Sequence, residues 1–262
     1  MIDLHTHVLP GLDDGAKTPD DAVALARAAA AEGIVQMAAT PHLRADHPGV
    51  DPFSLKARCD DLNRRLRRAR VDVDVVAGGE VDLYWAQAAS EEVLRLVSYR
   101  QRGSYLLVET PYGPLPDQFE DLLFRITVRE FHVLLAHPER NPSLQRYPER
   151  LGRLIERGIL TQVTAGSLVD APRRAPTRRL AEALVAEGRA HVLASDAHRA
   201  IGPRAGRLSV AAAAAERLGR GYGRLLTVDN PAAILADRKV EGAAGEAPAP
   251  AGRVGRLLRR LR

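Results

Sequence analysis

The sequence predicts a single α/β barrel, built from short parallel strands that alternate with helices. Three observations support this fold class. A chain of 262 residues has the length of one large α/β domain. Short apolar runs alternate seven times with segments of helical pattern. No glycine-rich dinucleotide-binding motif follows a strand, which disfavours an open doubly wound sheet.

The predicted strands are rich in leucine and β-branched residues, as is typical of strands buried on both faces of a parallel sheet. They are residues 1–7, 34–42, 73–81, 105–111, 132–139, 160–167 and 191–198. The clearest helix begins after Thr18 as N-cap, with Pro19 in its first position, and ends before Gly33. Residues 148–158, 177–188 and 206–219 also have a helical pattern.

Composition indicates a cytoplasmic protein. Hydrophobic residues make up 45% of the chain and charged residues 27%, values typical of a soluble domain. The sequence has no apolar run of 18 residues and no basic-then-apolar leader, so we expect neither a membrane span nor a secretory signal. Cys59 is the single cysteine, which excludes an internal disulfide and fits a reducing compartment.

The C-terminal segment differs in composition from the rest. Residues 241–252 are rich in Gly, Ala and Pro and indicate a flexible linker, and the last eleven residues carry five arginines and no acid. The sequence therefore predicts a catalytic barrel over 1–240, followed by a linker and basic tail over 241–262. Such a tail can contact an anionic membrane surface or an acidic partner, or can remain a disordered solubilising end. We expect no nucleic-acid partner, because no motif combines basic and aromatic residues in a groove.

Side chains able to bind metal ions occur at or just after the ends of six predicted strands. His5 and His7 point to the same face of the first strand, an arrangement that suits either a metal site or a solvated edge. The full set is His5, His7, Asp13, Asp14, His42, Glu80, Glu109, His137, Asp196 and His198. Barrel enzymes build their active sites at this edge, so a joint metal site is favoured over independent surface residues.

The chemistry of these side chains narrows the choice of ion. They combine imidazole with carboxylate and include no thiolate, which suits Mn, Fe or Zn. They are also more numerous than one ion requires, so we expect two or three ions that share a bridging carboxylate. Clustered divalent ions of this kind promote displacement at phosphorus.

Several motifs together resemble the polymerase-and-histidinol-phosphatase (PHP) superfamily. They are "MIDLHTHVLPGLDDGAKT", "ATPH", "HPERN", "QVTAGSL" and "SDAH". Within the superfamily they are most similar to the manganese-dependent protein-tyrosine phosphatases of bacterial capsule and exopolysaccharide loci (CpsB/CapC type). The resemblance runs from Met1 to about Asp237. It implies a distorted (β/α)7 barrel, a trinuclear metal centre and dephosphorylation of a membrane-attached tyrosine autokinase.

The resemblance also implies a role for each ligand. One ion would be held by His5, His7, Glu80 and Asp196. Glu80 would bridge to a second ion held by Glu109 and His137, and the third would be held by Asp14, His42 and His198. Asp13 is then a neighbour of the ligands. This chain departs from the family pattern at Pro203, where some members have arginine, and Arg204 follows one residue later.

Two arginines are the predicted phosphate-binding residues. Arg140 lies three residues beyond His137, and its planar guanidinium suits two phosphate oxygens, although a structural ion pair is the alternative. Arg204 is the second candidate, ahead of Arg199. Cys59 lies in a charge-rich stretch of helical pattern and not in a phosphate-binding loop of the Cys-x5-Arg type, so a covalent cysteine mechanism is not expected. A small-molecule phosphatase of the histidinol-phosphate type is the alternative function.

The segments after Glu109 and His42 are long enough to form a lip around the substrate. In this lip we expect Tyr112, Leu115 and Phe119 either to cover an aromatic ring or to close the barrel rim. We expect His132, His191 and Trp85 to be structural.

Overall fold

The computed structural model describes residues 1–101 and 103–240. Within these residues, seven strand positions form the barrel wall, and two of them are interrupted, so that nine strand segments result. These segments are β1 (Ile2–Thr6), β2 (Gln36–Ala39), β3 (His42–Leu43), β4 (Asp74–Ala77), β5 (Glu80–Val81), β6 (Tyr105–Glu109), β7 (His132–Ala136), β8 (Leu160–Thr164) and β9 (Val192–Ala194). All pairs are parallel, in the orders β1-β2-β4 and β3-β5-β6-β7-β8-β9.

The two sheets continue one another and close into a distorted barrel, which confirms the predicted fold class. Thr40 and Pro41 separate β2 from β3, and a glycine pair separates β4 from β5. A side chain at Gly79 would lie 2.7 Å from Leu43 Cδ2, so glycine allows this close approach. The remaining gap closes where the segment after β9 hydrogen-bonds the end of β1. His7 N donates to the Ala197 carbonyl at 2.9 Å, and Asp196 N donates to the His5 carbonyl at 2.8 Å.

Helices cover the outside of the barrel. They are α1 (Pro19–Ala31), α2 (Leu55–Arg68), α3 (Leu83–Ala88), α4 (Glu91–Val97), α5 (Phe119–Val128), α6 (Pro142–Arg146), α7 (Pro148–Glu156), α8 (Ala165–Val169), α9 (Pro176–Ala186), α10 (Leu208–Leu218), α11 (Tyr222–Arg224) and α12 (Asn230–Leu235). The start of α1 is as predicted, because the Thr18 hydroxyl accepts from Asp21 N and the Asp21 carboxylate accepts from Thr18 N. Helices α7, α9 and α10 match the three other predicted helices to within two residues at each end.

Several predicted strands are shorter in the structure. Residues 165–167 were predicted as the end of a strand, but they begin α8. The polar ends of the predicted strands 105–111, 132–139 and 191–198 leave the sheet and form loops and turns. These loops carry three of the candidate site residues, His137, Asp196 and His198.

The core has two layers that use opposite faces of the same strands. Along β6, Tyr105 and Leu107 belong to the inner cluster, whereas Leu106 and Val108 pack under the helices. Ile234 and Leu235 of α12 join the inner cluster. This alternation explains why the strands are apolar on both faces.

No described helix is both long and apolar enough to cross a membrane. The predicted linker and basic tail, residues 241–262, lie outside the described residues. The division into a barrel and a tail therefore stays a prediction.

Candidate metal centre

The nine ligands predicted from the sequence come together at the carboxyl ends of the strands. Eight of them are buried, and Asp14 is partly exposed. Their potential ligand atoms fall into four groups in which all atoms lie within 4.8 Å of one another. The groups are His7–Asp14–His42–His198, His5–His7–Asp196, His5–Glu80–His137 and His42–Glu80–Glu109.

His5 in β1 and His7 directly after it are oriented by other side chains. Nδ1 of His5 lies 2.9 Å from the Gln162 side-chain oxygen, and Nδ1 of His7 lies 2.7 Å from Asp13 Oδ2. These contacts leave the two Nε2 atoms facing each other at 3.3 Å. Asp196 Oδ1 lies 3.5 Å from Nε2 of His5 and 3.4 Å from Nε2 of His7, so three ligand atoms converge. The contact with Gln162 was missed in the sequence, where this residue is one polar position in an apolar strand.

The loop that follows β1 folds back onto His7. Ala16 N donates to the His7 carbonyl at 3.0 Å, and Gly15 N donates to Asp13 Oδ1 at 2.9 Å. A Cβ atom on Gly15 would lie 2.1 Å from the His7 carbonyl oxygen, so no other residue fits there without displacing the backbone. This contact gives a physical reason for the "DDG" part of the motif.

Glu80 is the central carboxylate of the cluster. Its Oε1 lies 2.8 Å from His137 Nε2, and its Oε2 lies 3.2 Å from His5 Nε2 and 3.0 Å from His42 Nδ1. Glu109 Oε2 lies 3.9 Å from the same His42 nitrogen. A carboxylate with neighbours on both oxygens has the geometry expected of a bridging ligand.

Two of the ligands have left-handed backbone conformations. His137 has φ of 37° and Asp196 has φ of 53°. Non-glycine residues pay a conformational penalty in this region, and such residues cluster at functional sites. At His137 the conformation lies between the end of β7 and the turn Pro138–Arg140.

The third part of the cluster joins Asp14, His42 and His198. Asp14 Oδ1 lies 3.2 Å from His198 Nε2 and 3.5 Å from His42 Nε2. Nδ1 of His198 contacts the Asp196 carbonyl oxygen at 2.9 Å, which directs Nε2 toward Asp14.

These side chains fit a group of divalent ions. Three buried atoms in the cluster lie close to other candidate ligand atoms but make no hydrogen bond of regular geometry, namely Asp14 Oδ1, His42 Nδ1 and Glu80 Oε2. Buried polar atoms are normally satisfied, so unsatisfied atoms in one cluster call for a ligand that accepts their lone pairs. The donors are imidazoles and carboxylates without thiolate, which excludes a structural cysteine-type zinc site.

Charge coupling within the cluster shifts several pKa values. Burial alone would raise the pKa of Glu80, but the coulombic effect of His5 and the hydrogen bond with His137 hold it well below its usual range. The pKa of Asp196 is also lowered, against the effect of burial, by His5, His7 and Arg140. Burial, followed by the charge of His7, lowers the pKa of His198 to about 3. These shifts favour ionised Glu80 and Asp196 and a neutral His198, which are the forms that bind metals. The pKa values of three other candidate ligands are raised instead. Burial, followed by the charge of Glu80, raises that of Glu109, and contacts with neighbouring carboxylates raise those of His5 and His7 against the effect of burial.

Three arginines surround the cluster, and each contacts a different carboxylate. Arg140 Nη1 donates to Asp196 Oδ2 at 2.6 Å, and Arg204 Nη1 donates to Asp14 Oδ2 at 2.6 Å. In the third contact, Arg44 Nη1 lies 3.1 and 3.2 Å from the two oxygens of Glu109. The sequence did not reveal this contact, because Arg44 is one of several charged residues in a polar loop.

The residues proposed for the substrate lip have different environments. Tyr112 is exposed and Leu115 is buried. Phe119 is fully buried at the start of α5, so it does not cover a substrate ring, and of the two expected roles only packing at the barrel rim remains. His47 stacks on His42 with ring centroids 5.4 Å apart.

Three residues outside this lip pack in or against the protein interior, outside the metal-ligand cluster. Cys59 is buried in α2, His191 is buried just before β9, and Trp85 packs against the core.

A closed parallel barrel with clustered imidazoles and carboxylates at the carboxyl ends of its strands is typical of metal-dependent barrel hydrolases. A family profile described as capsular polysaccharide synthesis, CpsB/CapC, matches residues 1–236. The chain therefore belongs to the CpsB/CapC family.

Individual relatives agree with this assignment. The tyrosine-protein phosphatase YwqE of Bacillus subtilis (strain 168) is 34% identical over 201 residues, which cover 76% of this chain and 77% of YwqE. The tyrosine-protein phosphatase CpsB of Streptococcus pneumoniae is 22% identical over 245 residues, covering 92% of this chain and all of CpsB.

Solved structures match over nearly the whole chain. One chain from the crystal structures of YwqE from Bacillus subtilis and CpsB from Streptococcus pneumoniae, described as metal-dependent tyrosine phosphatases, superposes with a TM-score of 0.80 at 28% identity. That match covers 97% of this chain and 100% of the other. An organophosphorus hydrolase from Deinococcus radiodurans has a TM-score of 0.56 at 14% identity over 89% of this chain and 92% of its own, and shares the fold alone.

Proposed function

We propose that the protein is a metal-dependent phosphomonoester hydrolase that dephosphorylates phosphotyrosine in a protein substrate. The observation that carries this proposal is the convergence of nine imidazole and carboxylate side chains in one cluster. Membership of a family whose named relatives are tyrosine-protein phosphatases supports the choice of substrate.

We assign the ligands to three ions. The first ion would be held by His5, His7, Glu80 and Asp196, and the second by Glu80, Glu109 and His137. The third would be held by Asp14, His42 and His198. Manganese is the ion that we propose, with iron or zinc as alternatives, because the donors are hard to borderline. When bound, ions of this kind lower the pKa of water and stabilise the attacking and leaving oxygens at phosphorus.

The protein side chains would orient the phosphate. Arg140 and Arg204 contact carboxylates on two sides of the cluster, and each guanidinium has further N–H groups to offer. A planar guanidinium binds two phosphate oxygens at once, which fixes the direction of the ester bond. A tyrosine leaving group has a pKa of about 10, so it needs less protonation than a serine alkoxide would.

The physiological substrate that we propose is a membrane-attached tyrosine autokinase that controls capsule or exopolysaccharide synthesis. The description of the matching family as capsular polysaccharide synthesis supports this choice. We place the protein in the cytoplasm at the inner face of the membrane, where such a kinase is accessible.

Metal removal and substrate comparison test the enzymatic proposal. The protein is stripped with a chelator, reloaded with Mn, and assayed on a phosphotyrosine peptide, histidinol phosphate and single-stranded DNA. We expect chelation to abolish turnover, Mn to restore it, and the phosphotyrosine peptide to be preferred. Full activity in the stripped protein contradicts metal dependence, and a preference for histidinol phosphate supports the small-molecule alternative.

The basic tail offers a test of the membrane contact. On a helix, Val254, Leu257, Leu258 and Leu261 would form one apolar stripe flanked by arginines. Each basic residue near an anionic bilayer contributes about 1 kcal/mol, and the effect falls with salt. We expect deletion of 241–262 to preserve turnover of a small phosphopeptide and to reduce sedimentation with anionic vesicles at low salt. Equal vesicle binding with and without the tail eliminates this contact.

A further inference from the structure

Tyr112 places an exposed aromatic ring beside the metal-ligand cluster. The residue is 61% exposed, whereas its ring centroid lies 6.5 Å from that of His137 with the two planes 20° apart. This separation lies within the range over which aromatic rings interact. An aromatic side chain left in solvent next to a reaction centre is available to a ligand that carries a ring.

The backbone on both sides of Tyr112 is fixed. The side-chain amide of Asn141 donates to the Pro111 carbonyl at 2.6 Å and to the Gly113 carbonyl at 2.9 Å. Asn141 comes shortly after His137, so one segment both supplies a ligand and anchors the loop that carries Tyr112. The position of the backbone from which the Tyr112 ring extends is therefore set before any ligand binds.

Arg44 fixes the side chain of Tyr112. Its guanidinium carbon lies 5.5 Å from the Tyr112 ring centroid, within the distance for a cation–π interaction. The same guanidinium contacts Glu109 through Nη1, and it contacts Asp46 through Nε at 2.6 Å and Nη2 at 2.9 Å. Arg44 is only a quarter exposed, so these contacts hold it in one orientation. The loop after β3 and the loop after β6 thus meet at this pair.

We propose that Tyr112 and Arg44 form a binding subsite for the aromatic ring of an aryl phosphate. The subsite deepens the proposed phosphatase function, on which it rests, because it would select phosphotyrosine over alkyl phosphates. With the phosphate on the cluster, the phenyl ring of phosphotyrosine would extend outward toward the rim. There it would contact the face or the edge of the Tyr112 ring. A phosphoserine side chain has no ring to place there, so the contact contributes only to aryl esters.

Binding of non-hydrolysable ligands tests the subsite independently of turnover. Phenylphosphonate and methylphosphonate are titrated into the Mn-loaded protein by calorimetry, and their dissociation constants are compared. We expect Tyr112→Ala to weaken phenylphosphonate binding about three- to tenfold while methylphosphonate binding stays unchanged, because one aromatic contact is lost. Tyr112→Phe should retain the preference, and Arg44→Ala should reduce it by releasing the ring.

Tyr147→Ala is the matched control. Tyr147 is also exposed, and the Arg146 guanidinium lies 5.4 Å from its ring centroid. This variant should bind both phosphonates as the wild type does. An equal loss of both ligands in Tyr112→Ala, or no loss of phenylphosphonate, overturns the subsite.

Hydrolysis of matched phosphotyrosine and phosphoserine peptides completes the test. In Tyr112→Ala we expect a higher KM for the phosphotyrosine peptide, little change in kcat, and unchanged Mn content. If the wild type hydrolyses neither peptide, the proposed function fails. The phosphonate titration still decides the subsite in that case.

Discussion

Oδ2 of Asp13 lies 2.7 Å from Nδ1 of His7 and sets the direction of that imidazole. The same carboxylate accepts N–H groups from Gly15 at 2.9 Å and from His42 at 3.2 Å. One side chain therefore joins β1, the loop after it and β3. The charge of His7 and these hydrogen bonds hold the pKa of Asp13 below its usual range despite burial. Asp13 acts as a positioning residue, since it aims Nε2 of His7 into the cluster.

Replacing Asp13 by Asn should weaken metal binding without unfolding the protein. The amide can still accept one hydrogen bond, but the negative charge that supports His7 is lost. Residues that orient a metal ligand typically change metal affinity by about 10- to 100-fold when altered. Calorimetric titration with Mn measures this change. Asp72→Asn, at an exposed position before β4, is the control, and equal affinities in the two variants would show that Asp13 has no part in orienting the ligand.

Arg140→Ala should slow phosphotyrosine hydrolysis and leave the metal content unchanged. Removal of one preorganised electrostatic donor costs roughly 2–4 kcal/mol of transition-state stabilisation. Arg140→Lys should recover part of the lost activity, because the positive charge remains but the planar guanidinium that binds two phosphate oxygens does not. Measuring kcat/KM together with bound Mn separates the two effects. Loss of metal along with activity would mean that the ion pair with Asp196 is structural.

The convergence of the candidate ligands could be predicted because the fold brings strand ends together. In a parallel barrel all carboxyl ends lie at one rim, so His42 and His137 both contact Glu80 although they are 95 positions apart in the sequence. The motif around Gly15 was also informative, since only glycine fits against His7.

The contacts of Arg44 and Gln162 could not be predicted in the same way. Arg44 reaches Glu109 across two loops, and its partner depends on the path of both. Gln162 contacts His5 from a strand on another part of the barrel wall. Neither contact follows from spacing along the chain, because local sequence does not determine loop-to-loop or cross-barrel distances. The interruption between β4 and β5 at Gly79 was also not predicted, because the apolar strand pattern continues on both sides of the glycine pair.

Cys59→Ser should leave turnover within a few-fold of the wild type. The thiol is 3% exposed, and burial, with nearby Asp60 and Asp74, raises its pKa to about 12. Such a thiol is protonated at neutral pH and is not a nucleophile. The serine hydroxyl is buried in its place, so we expect a stability loss of about 1–3 kcal/mol. Activity is therefore compared at low temperature, with circular dichroism to confirm folding. Complete inactivity of the folded variant would revive a cysteine mechanism.

His191 should make the protein less stable in acid. Its ring is buried just before β9, and burial lowers its pKa from 6.5 to about 4. Nδ1 accepts a hydrogen bond from Thr161 N at 3.1 Å, so the folded state requires the unprotonated nitrogen. Above pH 6.5 both states are neutral and this contribution to stability is complete. Between pH 6.5 and pH 4 only the unfolded state takes up the proton, so the protein becomes less stable as the pH is lowered through this range.

The variant His191→Asn isolates this contribution, because the amide oxygen accepts from Thr161 N and does not titrate. Urea unfolding is measured for both proteins in chelator, so that protonation of metal-bound ligands does not interfere. Between about pH 7.5 and about pH 4 we expect the wild type to lose about 3 kcal/mol more than the variant, from the shift of its pKa. The variant titrates the same remaining groups, including Asp3, whose pKa burial raises to about 6, so their effect cancels in the comparison. Parallel pH profiles for the two proteins would exclude His191 as the source of acid sensitivity.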